Sequence, residues 1–315
     1  MSREELFHAT ERPAAELFYQ RGDASDRRLG EVVRSAPNAY AEAGVVLLGC
    51  PQDEGVRRNG GRIGAALAPD AVRRCLYKLT VNQLEGLHLF DLGNTHLGGT
   101  LEATHDRQRD IACQVIADGK TLIVLGGGND LSYPDCAGLA DAAGRVLAFN
   151  VDAHYDVRAD AVRNSGTPYR QLLEEGVLQP GVFYEIGSQP FANSPVYTRY
   201  LQDKGAHIIP LAQLLADGVT ETFERILEQM QPAAVFWGLD MDVVRAADAP
   251  GVSAPNPTGL AGDDLCAIAA IAGGFAQTRL LELAEVNPNY DLDQRTCRLA
   301  AVAIWSFLAA REGTA

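Results

Sequence analysis

The chain has 315 residues, with 27 lysines and arginines against 41 aspartates and glutamates, for a formal net charge of −14. That balance excludes a nucleic-acid binder working by phosphate neutralisation, because counterion displacement needs a basic face. At 47% hydrophobic and 22% charged residues the chain can bury a large core, and no stretch reaches the roughly 18 uninterrupted apolar residues of a membrane span.

The first 40 residues read as an N-terminal arm and residues 41–315 as a single domain, with no linker between them. The start, Met1-Ser-Arg-Glu-Glu, lacks the apolar core of a secretory signal. In chain order the patterns run strand 45–49, helices 69–79 and 104–117, strands 121–125 and 146–151, helix 169–175, strand 182–186, helix 196–204, strand 207–210 and helix 211–229. Strand 234–239, helix 262–272, strand 280–286 and helix 293–310 complete the series. The strands are apolar throughout, as suits strands covered on both faces of a parallel sheet. Their alternation with helices predicts an α/β fold: a doubly wound three-layer α/β/α sandwich with a mostly parallel sheet of about eight strands. Six cysteines are scattered without a Cys-x-x-Cys pair and read as free thiols in a reducing cytoplasm.

In such folds ligands bind at the carboxyl ends of the strands. Four strand ends here carry Gly126-Gly-Gly-Asn129-Asp130, Asp152-Ala-His154-Tyr-Asp156, Asp240-Met-Asp242 and Glu285-Val-Asn-Pro288. Residues two apart on an extended chain point the same way, so Asp152, His154 and Asp156 share one side, as do Asp240 and Asp242. A single Asp-x-His-x-Asp also fits a solvated or capping loop. Two acidic motifs at separate strand ends crowd like charges that cations must neutralise, and carboxylates with one imidazole suit Mn2+ or a similar divalent ion.

These motifs resemble the ureohydrolases, the family of arginase, agmatinase and formimidoylglutamase. Asp152-Ala-His154-Tyr-Asp156 and Asp240-Met-Asp242 match the family pattern fully, and the resemblance runs from about Val45 to the C-terminal helix. It implies an arginase-like catalytic domain that hydrolyses C–N bonds of linear amidines. Within the family, Asp53 to Arg62 and Ser165-Gly-Thr-Pro-Tyr169-Arg170-Gln171 look most like formimidoylglutamase, which converts N-formimino-L-glutamate to L-glutamate and formamide in histidine degradation. Arginase carries a proton-shuttling histidine where this chain has Tyr169.

The family pattern has a histidine ligand where this chain has Asn129, and an amide oxygen is a poorer ligand than imidazole. One firm Mn2+ site at Asp152, His154, Asp240 and Asp242 is therefore expected, with a weaker second one at Asp152, Asp156, Asp240 and Asn129. The resemblance assigns Asp156 to orienting the nucleophile and passing a proton to the leaving amine, and Glu285 to the cationic amidinium. The substrate's carboxylates need local positive charge. Arg57, Arg58, Arg158 and Arg170, with the hydroxyls of Ser165 and Tyr169, are the substrate-binding candidates. The expected partner is a small-molecule amidine, bound by a cytoplasmic homo-oligomer with no nucleic-acid or membrane partner. Two alternatives stay open: a relative acting on another guanidino or amidino substrate, and a metal-poor, catalytically silent homologue.

Overall fold

The computed structural model describes residues 1–84 and 86–313; residues 314 and 315 of the expected domain lie outside the described residues. The strands are β1 (Thr10–Glu11), β2 (Val45–Gly49), β3 (Leu89–Thr95), β4 (Thr121–Leu125), β5 (Leu147–Val151), β6 (Phe183–Ile186), β7 (His207–Ile209), β8 (Val235–Asp240) and β9 (Thr278–Ala284). They form one sheet in the order β1-β3-β2-β4-β9-β8-β5-β6-β7, parallel throughout except for β1, which runs antiparallel to β3.

Side chains alternate across the sheet and feed two cores. Leu47, Ile123 and Trp237 pack on one face under α3 (Ala68–Leu76), α9 (Val219–Met230), α10 (Gly262–Gly274) and α11 (Arg295–Glu312). Val46, Leu122 and Phe236 pack on the other under α4 (Leu101–Ala117), α5 (Ser132–Ala143), α6 (Pro168–Glu174) and α7 (Pro195–Asp203). This is the doubly wound, three-layer arrangement, with nine strands rather than about eight.

Among the described residues, β1 and β3 are the strands absent from the seven predicted runs. β3 carries Asp91, which suits an interior strand only because Arg73 of α3 grips it through Nε (2.8 Å) and Nη2 (2.9 Å), both side chains being fully buried. The Tyr77 hydroxyl donates to the same carboxylate, so the buried charge is matched on several sides. The predicted helix 211–229 is two helices, α8 (Leu211–Asp217) and α9, broken at Gly218, whose φ of 87° favours glycine. Residues before 41 pack on the sheet edge: Leu6 of α1 (Arg3–His8) and Tyr40 are buried, and β1 lies along β3. Among the described residues no helix is long and apolar enough to cross a membrane. The six cysteines are free; Cys50, Cys75, Cys136 and Cys297 are buried, and Cys113 and Cys266 partly so.

Candidate metal centre

The four neighbouring strands β4, β9, β8 and β5 stand at the centre of the sheet, and the segments following them meet at their carboxyl ends. Asp152 leaves β5 and accepts the His154 N–H at 2.7 Å; Asp240 ends β8 and accepts the Asp242 N–H at 2.8 Å. Each turn thereby brings its second acidic or imidazole side chain onto the side of the first. His154 Nδ1 lies 3.4 Å from Asp152 and 3.3 Å from Asp242. Two groups of side chains have donor atoms all within 4.8 Å of one another: Asp152 with His154 and Asp242, and Asp152 with Asp156 and Asp240. Asp152 belongs to both, and Asp240 joins Asp156 rather than His154. Asp156 and Glu285 hold non-glycine backbone in the left-handed region, at φ 47° and 66°, a conformation that the surrounding structure must enforce.

The electrostatics of this cluster ask for a cation. Removal from water raises Asp240 and Asp156 well above the carboxylate range, and their charged neighbours, Asp242 for the first and Asp152 for the second, raise them further. Burial lifts Asp242 to about 6 and Glu285 to about 8, while Asp242 drives His154 up to about 12 against its own burial. Asp242 Oδ1 and Glu285 Oε2 are buried without a hydrogen-bond partner. Crowded carboxylates, an orphaned acceptor and one imidazole form an oxygen-rich donor set that fits one or two Mn2+ ions.

Asn129, which stands where the family pattern has a histidine, is buried beside the cluster. Its Nδ2 donates to Asp156 at 2.7 Å and to Asp152 at 3.3 Å, while its Oδ1 accepts from the Ser132 hydroxyl at 2.9 Å. The side chain thus lies between the Asp152 and Asp156 carboxylates and the Ser132 hydroxyl, at the edge of the second group of donors. Its backbone N–H holds Glu285 Oε1 at 2.7 Å.

Above the cluster lies a cleft of about 420 Å³, whose lining includes His154, Asp156, Asp240, Asp242, Glu285 and Arg158. Ser165 also faces it; its Oγ accepts from Asn59 Nδ2 at 3.0 Å, leaving the hydroxyl hydrogen for a ligand. The remaining substrate-binding candidates point elsewhere. Arg57 and Arg58 share Glu54, and Arg58 also binds Glu102 at 2.6 Å. Arg170 pairs with Glu174 at 2.8 Å and lies over the Tyr200 ring. Tyr169 occupies the inner face of α6 with Leu172 and Leu173, stacked on Phe183 at 4.9 Å between centroids, and is core rather than cleft wall.

Sequence reasoning missed Asn59, Tyr197 and Ser253, which line the cleft. It also missed Asn193, which accepts the Tyr155 N–H at 2.9 Å and donates to Ala153 O at 2.8 Å, pinning the ligand-bearing turn. His105 is buried with Nε2 at 2.7 Å from Asp130, which also accepts from Gln52. A polar residue inside an apolar helix face was the available signal for His105; the others sit in loops without any repeating pattern.

A doubly wound sheet whose central strands β5 and β8 end in crowded carboxylates and an imidazole, with Asn129 after β4 and Glu285 after β9 beside them, defines an α/β protein with a candidate metal centre. The chain belongs to the arginase family, whose model matches residues 43–310. Formimidoylglutamase of Rhodococcus jostii is 34% identical over 288 residues, covering 86% of this chain and 87% of that protein. The crystal structure of Trypanosoma cruzi formiminoglutamase with Mn2+2 is 32% identical, with a TM-score of 0.85 over 91% of this chain and 99% of the other. A histidine-for-asparagine variant of that enzyme with Mn2+2 is 31% identical, with a TM-score of 0.86 over 92% and 99% of the two chains.

Proposed function

We propose that this arginase-family chain, a hydrolase of C–N bonds in amidines, is manganese-dependent and converts N-formimino-L-glutamate and water to L-glutamate and formamide. The observation that carries the reading is the pairing of two acidic donor groups on the cleft floor with the guanidinium of Arg158 on its wall, which makes no ion pair among the described residues. The names of the relatives support the same substrate.

Asp152, His154 and Asp242 would hold one Mn2+, and Asp152, Asp156 and Asp240 a second. Manganese, when bound, supplies a Lewis acid that brings the pKa of water toward neutrality. Glu285 presents a buried, unpartnered Oε2 beside the cleft, suited to a cationic amidinium and not to a neutral amide. Asp156 lines the cleft and carries the proton to the departing amine. Arg158 and the free hydrogen of Ser165 receive the substrate's carboxylates. Free cysteines fit a reducing compartment, and a cytoplasmic homo-oligomer remains part of this reading.

The test is hydrolysis by the Mn2+-loaded protein of formiminoglutamate, arginine and agmatine. Preference for formiminoglutamate is expected; preference for arginine or agmatine moves the chain to another substrate. Asn129 in place of the family's histidine ligand is the observation favouring a silent homologue, and that reading takes over if metal analysis finds less than one Mn2+ per chain and no substrate is turned over.

A further inference from the structure

The ladder between β5 and β8 ends at Val151 and Leu239. Past it, the turn carrying Asp152 and His154 and the segment carrying Asp242 leave the sheet with like charges that push them apart until a cation is bound. Neutral amides tie the same two segments together through the loop between β6 and α7.

On the His154 side, the Tyr155 N–H donates to Asn193 Oδ1 at 2.9 Å, and Asn193 Nδ2 donates to Ala153 O at 2.8 Å and to Gln189 O at 3.0 Å. The Gln189 N–H donates to Ala153 O as well, at 3.0 Å. The peptide groups on both sides of His154 are thus bound to residues 189 and 193. On the Asp242 side, Asn256 Nδ2 donates to Asp242 O at 3.1 Å, the Ala246 N–H to Asn256 O at 2.7 Å and the Leu260 N–H to Val243 O at 2.9 Å. Residues 256–260 are therefore laced along the backbone of 242–246.

One side chain joins the halves. Gln189 Nε2 donates to Thr258 O at 3.0 Å, and the Thr258 hydroxyl donates back to Gln189 Oε1 at 2.8 Å. A carbonyl can only accept, which fixes the orientation of the amide and leaves both of its ends satisfied. Gln189 is 2% exposed, where an unpaired amide is costly, whereas Thr258 lies at the surface.

We propose that Gln189, clasped by Thr258, is a positioning residue that sets the spacing between the His154 turn and the Asp242 segment before any cation arrives. It acts through the backbone of both segments and preorganises the Asp152, His154 and Asp242 group. This rests on the metal reading above for its effect on Mn2+, but not for the clasp itself.

Thr258→Val removes the hydroxyl hydrogen, and Thr258→Ser keeps it. In the metal-free protein, hydrogen exchange at the Tyr155 amide, across the clasp from Thr258, is followed by NMR. It should quicken by about 2- to 13-fold in Thr258→Val, the worth of one neutral hydrogen bond, and stay within about twofold of wild type in Thr258→Ser. An unchanged rate in Thr258→Val, or an equal rise in Thr258→Ser, overturns the clasp. In Mn2+ titrations followed by calorimetry, Thr258→Val should weaken binding by about 2- to 13-fold and Thr258→Ser should restore it. In a His154→Ala background the valine change should leave the remaining Mn2+ affinity within about twofold. A loss of equal size in both backgrounds, or none in either, overturns the positioning role. Thermal unfolding of each variant confirms that it is folded. If wild type takes up no Mn2+, the metal reading fails, and exchange at Tyr155 still decides the clasp.

Discussion

Replacing Arg158 with alanine separates a carboxylate-reading cleft from a generic amidine site. The Arg158 backbone N–H bonds Gly166 O at 2.8 Å, and its stem lies against Gly166 so closely that an added Cβ would sit 2.7 Å from Cδ. The guanidinium is therefore aimed by the chain, and it makes no ion pair among the described residues. A hydrogen bond to a charged partner contributes about 1.5 to 3 kcal/mol, or about 10- to 150-fold. Arg158 is exposed, so solvent screens part of this and the loss in kcat/KM for formiminoglutamate should fall near 10- to 30-fold, about 1.4 to 2 kcal/mol. The loss should appear in KM, because a group gripping the far end of the substrate holds ground state and transition state alike. Steady-state kinetics measures it, with Arg57→Ala as control; the Arg57 side chain is 63% exposed and tied to Glu54, so that variant should stay within about twofold. Gly166→Ala, which pushes the Arg158 stem aside, should give an intermediate loss. An Arg158→Ala enzyme with unchanged KM, or an Arg57→Ala enzyme with an equal loss, refutes the assignment.

Asp240→Ala should abolish Mn2+ uptake at the Asp152, Asp156 and Asp240 site and remove the rise in melting temperature that Mn2+ gives wild type, read by metal analysis and calorimetry. Asn129→His should raise occupancy of that site, since imidazole is the better ligand and no longer depends on the orientation of an amide; unchanged stoichiometry argues against it. Asp91→Ala strands the fully buried Arg73 and should cost about 3 to 5 kcal/mol in urea unfolding. Burial raises Asp135 to about 7, above its unfolded value of about 3.9, so the folded state binds the proton more tightly. The corresponding stability is fully present below about pH 4 and declines as pH rises to about 7; Asp135→Asn should flatten that slope in denaturant titrations.

The central strands were legible because both of their faces are buried and their apolar runs are uninterrupted, as in β2, β4 and β8. β3 was not, because Asp91 and Asn94 interrupt it, and only the distant Arg73 makes them acceptable inside a sheet. α5 begins Ser132-Tyr-Pro-Asp and is buried on nearly all sides of its first half, so it offers no amphipathic stripe. The acidic cluster could be read from spacing alone, since a period of two at strand ends dictates a shared side. The arginines could not: nearness in sequence to a motif says nothing about side-chain direction, and Glu54, Glu102 and Glu174 claim three of the four. Asn129 was visible as a departure from the family pattern, but its contacts with Asp156 and Ser132 were not.

The strand order also governs when this centre comes into being. β4 and β5 follow one another along the chain, yet β9 and β8 lie between them in the sheet, leaving an opening roughly 14 Å wide, three strand spacings, until those two arrive. On a growing polypeptide the residues after β4 and β5 emerge early but face each other across that opening. Asp240, Asp242 and Glu285 are supplied only by the closing segments. Assembly of the acidic cluster, core closure and burial of two vulnerable inner edges therefore coincide with the arrival of β8 and β9, so a chain stopped before β9 is left both without Glu285 and open to edge pairing with other chains.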